Sequence, residues 1–151
     1  MGSLTLPGGG LVYLDANALI YSVERVEPYH TLLDPMWQAA EQGDVTVASS
    51  SLTVMEALVK PIRDGNKEIE AQYREIFEAS VFQVLDVTLA VFEQAARIRA
   101  DSQLKTPDSL HAATALHAGC DLFVTNDVEF RRVPRLPTVM LDDLIEEDDR
   151  A

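Results

Sequence analysis

The chain has 151 residues, 47% of them hydrophobic, which suits a single packed domain. Asp and Glu number 25 against 12 Lys and Arg, and the formal net charge of −13 argues against a histone-like or membrane-surface protein, because such proteins are basic. Cys120 is the one cysteine, so an intrachain disulfide is excluded and a reducing, cytoplasmic compartment is expected. No stretch approaches the ~20 apolar residues of a membrane span, and no membrane association is expected.

Composition divides the chain into three segments. Residues 1–10 (MGSLTLPGGG) predict a flexible lead-in, residues 11–141 predict the folded domain, and residues 142–151 form an acidic tail. Six acids and one arginine give the stretch from Asp142 to Arg150 a net charge of −5, which leaves −8 for everything before it.

Short apolar runs alternate with stretches of helical spacing along the whole domain. In chain order, the predicted strands are Leu11–Asp15, Val45–Ser49, Val81–Asp86, Asp121–Asn126 and Pro137–Leu141. The predicted helices are ANALIYSVE, Tyr29–Gln42, a segment from Ser50 or Ser51 to Pro61, Lys67–Ala79, Thr88–Ser102, and a last one capped by Thr106 and ended by Gly119.

Two helices have a predicted inward face. The helix that ends at Pro61 is expected to bury Leu52, Met55 and Val59. The helix from Thr88 is expected to bury Leu89, Phe92, Ala95 and Ala96.

Strands separated by helices predict an α/β fold with a central parallel five-stranded sheet and helices on both faces. Ligands of such sheets bind outside the carboxyl ends of the strands. Asp15 ends the first strand, Asp127 lies just past the fourth, and Asp108 opens a helix that can start at the same edge. Glu56 is the one acid in an otherwise apolar-faced helix after the second strand.

Four carboxylates at one sheet edge repel each other unless a cation lies among them. An all-oxygen ligand set suits Mg²⁺ or Mn²⁺, and such a metal lowers the pKa of bound water and neutralises charge on a phosphate oxygen. Taken singly, Asp15, Asp108 and Asp127 are also explained as helix caps or first-turn acids, and Glu56 as a solvated side chain.

Four segments together resemble the conserved blocks of PIN-domain ribonucleases, in particular VapC-type toxins of toxin–antitoxin pairs. In order along the chain they are LVYLDANALIY, SSLTVMEAL, TPDSLHAATAL and LFVTNDVEF. The resemblance extends from Leu11 to Met140 and implies a single PIN-like domain that hydrolyses RNA by metal-activated water. It further implies Mg²⁺ or Mn²⁺ as cofactor, tRNA or ribosomal RNA as substrate, a VapB-type antitoxin as partner, and a homodimer.

The resemblance also assigns roles to individual residues. It implies that the catalytic and metal-binding acids are Asp15, Glu56, Asp108 and Asp127. It implies that Asn17 and Thr125 support that site.

Other polar residues have two interpretations each. Arg131, Arg132 and Arg135 follow Asp127 closely, so one of them is expected to contact an RNA phosphate unless they pair with the acidic tail or line an oligomer surface. His111 and His117 are six positions apart on one helix, which is a poor spacing for sharing a metal, and a structural or surface role is expected for both.

The first two predicted helices carry an apolar set that suits either the core or a groove for an antitoxin peptide. Its members are Ile20, Tyr21, Leu33 and Trp37.

Other functions remain open on the sequence. A PIN-like nuclease with a housekeeping role in RNA processing shares the same site, and so does a catalytically silent binding protein. A receiver-like signalling domain needs an acid pair after the first strand and a lysine after the fifth, neither of which is present. A haloacid-dehalogenase-type phosphatase needs a second Asp two places after Asp15, where Asn17 stands.

Overall fold

The computed structural model describes residues 2–145 and contains one five-stranded sheet. The strands are β1 (Leu11–Leu14), β2 (Thr46–Ser50), β3 (Phe82–Leu85), β4 (Leu122–Thr125) and β5 (Thr138–Met140). Every neighbouring pair is parallel, and the order across the sheet is β3-β2-β1-β4-β5. The predicted parallel sheet is therefore confirmed. Because the chain builds outward in opposite directions from β1, the switch point at which ligands bind lies between β1 and β4.

Six α-helices connect the strands, and a 3₁₀ helix follows each of β4 and β5. The α-helices are α1 (Ala16–Val23), α2 (Tyr29–Glu41), α3 (Ser51–Asp64), α4 (Lys67–Glu78), α5 (Leu89–Ser102) and α6 (Thr106–Ala118). The 3₁₀ helices are Val128–Arg132 and Leu141–Leu144. None of the helices between residues 2 and 145 is long and apolar enough to cross a membrane.

Alternate side chains of the central strands pack on opposite faces of the sheet, as period-2 geometry requires. On one face, Tyr13 of β1 stacks on Phe123 of β4 with ring centroids 5.1 Å apart, and both pack with Ala112 of α6. On the other face, Val12 of β1 and Val124 of β4 pack in the core that α1 and α2 cover. Helices therefore cover both faces of the sheet, as predicted.

The inward face of α3 differs from the prediction. The helix continues through Pro61 to Asp64 and ends where Gly65 adopts a left-handed φ of 66°. Met55 and Val59 are 59% and 43% exposed. The side chains that α3 buries are Thr53, Ala57, Leu58 and Pro61. Ala57 and Leu58 pack against Tyr73 of α4, and this contact between helices decides which of two possible apolar stripes faces inward.

The predicted face of α5 is correct for Ala95 and wrong for the other three residues. Leu89 is 75% exposed and Phe92 is 51% exposed, and Ala96 is exposed as well. Val91 is buried beside Ala95, because α5 packs through these two residues against α6.

The start of α6 lies one residue earlier than predicted. Lys105 occupies the capping position, and Thr106 is the first helical residue. Thr106 accepts a hydrogen bond from the Arg99 guanidinium at 2.9 Å, so its hydroxyl does not cap the helix. The predicted end at Gly119 is confirmed by its left-handed φ of 68°.

Both ends of the described chain pack on the domain. Leu4 is buried in the core beneath α2, and the N–H of Gly2 donates to the carbonyl of Leu144 at 2.7 Å. Ile145 is buried too, so the fold includes the first residues of the predicted acidic tail. The remainder of that tail, from residue 146, lies outside the described residues.

Candidate active site

Asp15 lies at the switch point, directly after β1, and is 5% exposed. Its Oδ1 accepts the N–H of Ala18 at 2.9 Å, which caps α1. Its Oδ2 accepts the hydroxyl of Thr125, the last residue of β4, at 2.5 Å. Both carboxylate oxygens are therefore held in place by neighbouring elements, and each retains a further lone pair.

Thr125 links Asp15 to the second acid at this edge. Its Oγ1 also accepts the N–H of Asp127 at 3.0 Å, so one buried hydroxyl orients a side chain after β1 and the backbone after β4. Asp127 in turn accepts the N–H of Glu129 at 2.9 Å and caps the first 3₁₀ helix. The capping and site interpretations of Asp15 and Asp127 are thus compatible, because capping engages one oxygen of each carboxylate.

Glu56 and Asp108 come from helices that begin at the same edge of the sheet. Asp108 is half-buried in the first turn of α6. Glu56 lies on α3 with a side chain that is 30% exposed, and its Oε1 is 2.6 Å from Nε2 of His111 on α6. The other ring nitrogen of His111, Nδ1, is 2.7 Å from the hydroxyl of the fully buried Tyr13.

The charges of the four acids act on one another in pairs, Asp15 with Asp127 and Asp108 with both Asp127 and Glu56. Burial raises the pKa of Asp15, and the charge of Asp127 raises it further, against the hydrogen bonds from Thr125 and Ala18. Burial also raises the pKa of Asp108, and the charges of Asp127 and Glu56 add to that effect.

The domain model for the PIN domain matches residues 12–136, which include all four of these acids. The chain belongs to the PIN-domain family. No curated protein sequence matches it.

Solved structures share the fold of this PIN domain. VapBC2 from Rickettsia felis, bound to a DNA fragment from its promoter, has a TM-score of 0.69 at 21% identity, covering 86% of this chain and 98% of the other. FitAcB from Neisseria gonorrhoeae has a TM-score of 0.64 at 22% identity, covering 84% and 95%. VapC20 from Mycobacterium tuberculosis, a toxin that cleaves the sarcin–ricin loop, has a TM-score of 0.64 at 18% identity, covering 80% and 92%.

The donor set of this PIN domain fits a hard divalent cation by its chemistry. Asp15, Glu56, Asp108 and Asp127 offer oxygen atoms alone, and their mutual repulsion favours a positive ion among them. Between residues 2 and 145, no group of three or more His, Cys, Asp or Glu side chains is placed to hold a metal ion by itself. That arrangement is compatible with Mg²⁺, which usually keeps several waters and binds one or two carboxylates directly.

The predicted arginines are engaged with acids in two of three cases. Arg131 lies 2.5 Å from Asp143 at the start of the predicted acidic tail, and Arg132 lies 3.1 Å from Glu129. Arg135 adopts a left-handed φ of 68° and lines a cleft beside α5. Arg131 therefore pairs with the acidic tail, which was one of the alternatives for these arginines.

The remaining predicted residues differ in their surroundings. Asn17 is exposed in the first turn of α1, and His117 is exposed near the end of α6, as expected of a surface histidine. His111 is buried, which fits the structural role that was one of the two expected, but its contact with the predicted site residue Glu56 was not predicted. Its position one helical turn after Asp108 was the available signal, because residues three apart share a helix face.

Lys105 is a second residue that sequence reasoning missed. Its charge lowers the pKa of Asp108 against the effect of burial, so a cation lies beside the acids just before α6. Its exposed side chain makes it a candidate contact for a substrate phosphate.

A separate cleft of about 810 Å³ lies between α1, α2 and α4. Its charged lining consists of Glu24, Glu41, Glu68, Glu75, Arg25 and His30. Of the predicted groove residues, Trp37 lines this cleft and Leu33 is fully buried in the core. The cleft is therefore predominantly acidic, with an aromatic side chain in its wall.

Proposed function

We propose that this PIN domain is a Mg²⁺- or Mn²⁺-dependent endoribonuclease that hydrolyses phosphodiester bonds in RNA. The observation that carries the proposal is the placement of Asp15 and Asp127 just after the neighbouring strands β1 and β4, with Asp108 in the first turn of α6 close enough for its charge to act on Asp127. When bound there, the metal supplies a water of lowered pKa and a positive charge for the phosphate oxygens.

The residues of the chain have separate tasks in this proposal. Asp15, Glu56, Asp108 and Asp127 hold the cation directly or through its bound waters, and Thr125 fixes Asp15 relative to the backbone of Asp127. The nearly complete burial of Asp15 excludes bulk water from one side of the site, which strengthens its attraction for a cation.

We further propose that the protein is the toxin of a type II toxin–antitoxin system and acts in the cytoplasm on tRNA or ribosomal RNA. The fold matches of toxin–antitoxin structures from several bacteria support this assignment, among them a toxin that cleaves a ribosomal RNA loop.

The test is incubation of a mixed tRNA and ribosomal RNA pool with the protein in Mg²⁺, in Mn²⁺ and in EDTA. We expect discrete products with either metal and none in EDTA or with Asp15→Asn, which keeps the shape of the capping side chain. Asp34→Asn removes the same charge from an exposed position on α2 and should cut like the parent. Cleavage that persists in EDTA, or in Asp15→Asn at the parent's rate, contradicts the assigned site.

The acidic cleft between α1, α2 and α4 is the proposed docking site of a VapB-type antitoxin. Four glutamates against one arginine favour a basic segment, and Trp37 and Ile76 provide apolar contact area for its other face.

Reversing one charge in this cleft should weaken antitoxin binding. We expect Glu75→Lys to raise the Kd for a VapB-type antitoxin about three- to tenfold at low salt and less at high salt, because salt screens exposed charges. Glu93→Lys makes the same charge change on an exposed position of α5 outside the cleft. Isothermal titration at two salt concentrations measures the effect, and equal Kd values for the two variants would place the antitoxin elsewhere.

A homodimer is proposed from the exposed apolar side chains of two helices. Met55, Val59 and Ile62 on α3 and Leu89 and Phe92 on α5 are each more than 40% exposed. Large apolar side chains grouped on helix surfaces are typical of protein–protein contacts.

A further inference from the structure

A chain of three hydrogen bonds extends from the end of β2 to the carboxylate of Glu56. The N–H of Ser50 donates to the hydroxyl oxygen of Tyr13 at 3.2 Å. That hydroxyl is 2.7 Å from Nδ1 of His111, and Nε2 of His111 is 2.6 Å from Oε1 of Glu56. The chain thus connects β2, β1, α6 and α3 through groups that are nearly all buried.

The direction of each proton along this chain follows from its two ends. Ser50 N–H can only donate, so it occupies a lone pair of the Tyr13 oxygen and leaves the phenolic proton for His111. An ionised Glu56 can only accept, so the proton on the imidazole lies on Nε2. Tyr13 therefore donates to Nδ1 and selects the tautomer that donates to Glu56.

Glu56 needs such a partner more than Asp15 and Asp127 do. Asp15 and Asp127 have short side chains that are held by backbone N–H groups. Glu56 has three rotatable bonds and an exposed fraction of 30%, whereas the side chain of His111 is only 3% exposed. The rigid imidazole engages one carboxylate oxygen and leaves the second oxygen for another ligand.

His111 also connects two acids that come from different helices. It lies one turn after Asp108 on α6 and contacts Glu56 on α3, so it links Glu56 to the helix that carries Asp108. Tyr13 engages only Nδ1 of the buried imidazole, so Nε2–H needs a second acceptor, and Glu56 supplies it.

We propose that His111 is a positioning residue that holds Glu56 in place to bind the divalent metal, and that Tyr13 acts through His111 by selecting its tautomer. The inference rests on the proposed function, since it assigns a role within that metal site.

The experiment is the Mn²⁺ affinity of the purified chain, measured by isothermal titration without RNA. His111→Phe keeps a buried ring but removes the donor, and we expect its Kd for Mn²⁺ to rise about tenfold or more, as for other partners of metal-binding carboxylates. His111→Gln retains an N–H donor on a side chain long enough to reach Glu56, and should recover most of the affinity. Tyr13→Phe should fall between the parent and His111→Phe.

Thr114→Ala is the matched control for damage to α6. Thr114 is buried on the same helix, and its hydroxyl donates to the carbonyl of Leu110 at 2.7 Å without contacting Glu56. We expect this variant to lose stability and keep the parent's Mn²⁺ Kd. Cleavage of RNA by His111→Phe should recover as Mn²⁺ is raised, provided that circular dichroism shows the variant to be folded before the metal is added.

An equal Mn²⁺ Kd for the parent and His111→Phe, both folded by circular dichroism, would overturn the proposal. Where His111→Phe does not fold, His111→Asn and His111→Gln give the same comparison, because Asn is too short to reach Glu56. Because the titration contains no RNA, a weaker Mn²⁺ affinity in a protein that cuts no RNA would reject the nuclease and retain the positioning role. An unchanged Mn²⁺ affinity of His111→Phe in a protein that does cut RNA would reject the positioning role and retain the nuclease.

Discussion

Asp108→Asn should reduce RNA cleavage about 10²- to 10⁴-fold, the rate equivalent of the several kcal/mol that a metal ion contributes to transition-state stabilisation. The same variant should be more stable than the parent in EDTA. Burial, Asp127 and Glu56 all raise the pKa of Asp108, so the folded protein favours the neutral form of this side chain. Asparagine is neutral at every pH and has nearly the same shape.

The stability gain should be small, because Asp108 is only half-buried and solvent screens its charge. The variant also loses the attraction of the Asp108 carboxylate to Lys105 and to the N-terminus of α6. This loss offsets part of the stability gained by removing the repulsion from Asp127 and Glu56. We expect the Tm in EDTA to rise by about 1–3 °C.

Thermal melts in EDTA and the cleavage assay together test Asp108→Asn. Asp101→Asn, at an exposed position on α5, removes the same charge and should change neither quantity. Parent-level cleavage by Asp108→Asn would exclude this carboxylate from the metal site. A fall in Tm would mean that its interactions with Lys105 and the helix outweigh its repulsion from Asp127 and Glu56.

Mn²⁺ should stabilise the parent strongly at neutral pH. A ligand that binds only the folded state at one hundred times its Kd adds about 2.7 kcal/mol to the free energy of unfolding. For a domain of this size, that corresponds to a rise in Tm of about 5–10 °C. The rise should be nearly absent in Asp15→Asn, which lacks the buried anionic ligand.

The same linkage predicts how pH affects the stability of the protein in EDTA. The pKa values of Asp15 and Asp108 are raised in the folded state, so the folded protein binds more protons than the unfolded chain at pH values between the ordinary and the raised pKa. These two groups contribute their full stabilisation below the ordinary carboxyl pKa and lose it as pH rises through the raised values. The pKa of Glu27 is lowered by its hydrogen bond from Thr31, and its contribution has the opposite sign.

The measurement is the Tm of the parent and of Asp15→Asn in EDTA at pH values from about 8 to about 5. The difference in Tm between the two proteins isolates the contribution of Asp15. Relative to Asp15→Asn, the parent should gain stability as the pH is lowered. At neutral pH, replacing EDTA with Mn²⁺ should offset most of the instability of the parent relative to Asp15→Asn. A parent that loses stability relative to Asp15→Asn on acidification would show that the buried carboxylate is stabilising in its charged form.

The amino-acid sequence by itself was sufficient to predict the five strands, their parallel arrangement and the edge at which the acids lie. Each of these features is encoded locally. Short apolar runs bounded by turn residues mark the strands, and Asp15 and Asp127 follow β1 and β4 within two residues. A parallel sheet places both strand ends at the same edge, and the pairing of β1 with β4, which the sequence did not predict, makes them neighbours there.

Only the tertiary structure decided which partners these residues have. His111 is 55 positions from Glu56 and 98 from Tyr13, and no periodic pattern in the chain relates such distant positions. The inward faces of α3 and α5 were predicted only in part, with Leu52 and Ala95 correct, for a related reason. Each helix carries two apolar stripes, and packing against Tyr73 of α4 and against α6 selects the one that is buried. Local periodicity specifies that a helix is amphipathic, but the neighbouring helix determines which side chains lose contact with water.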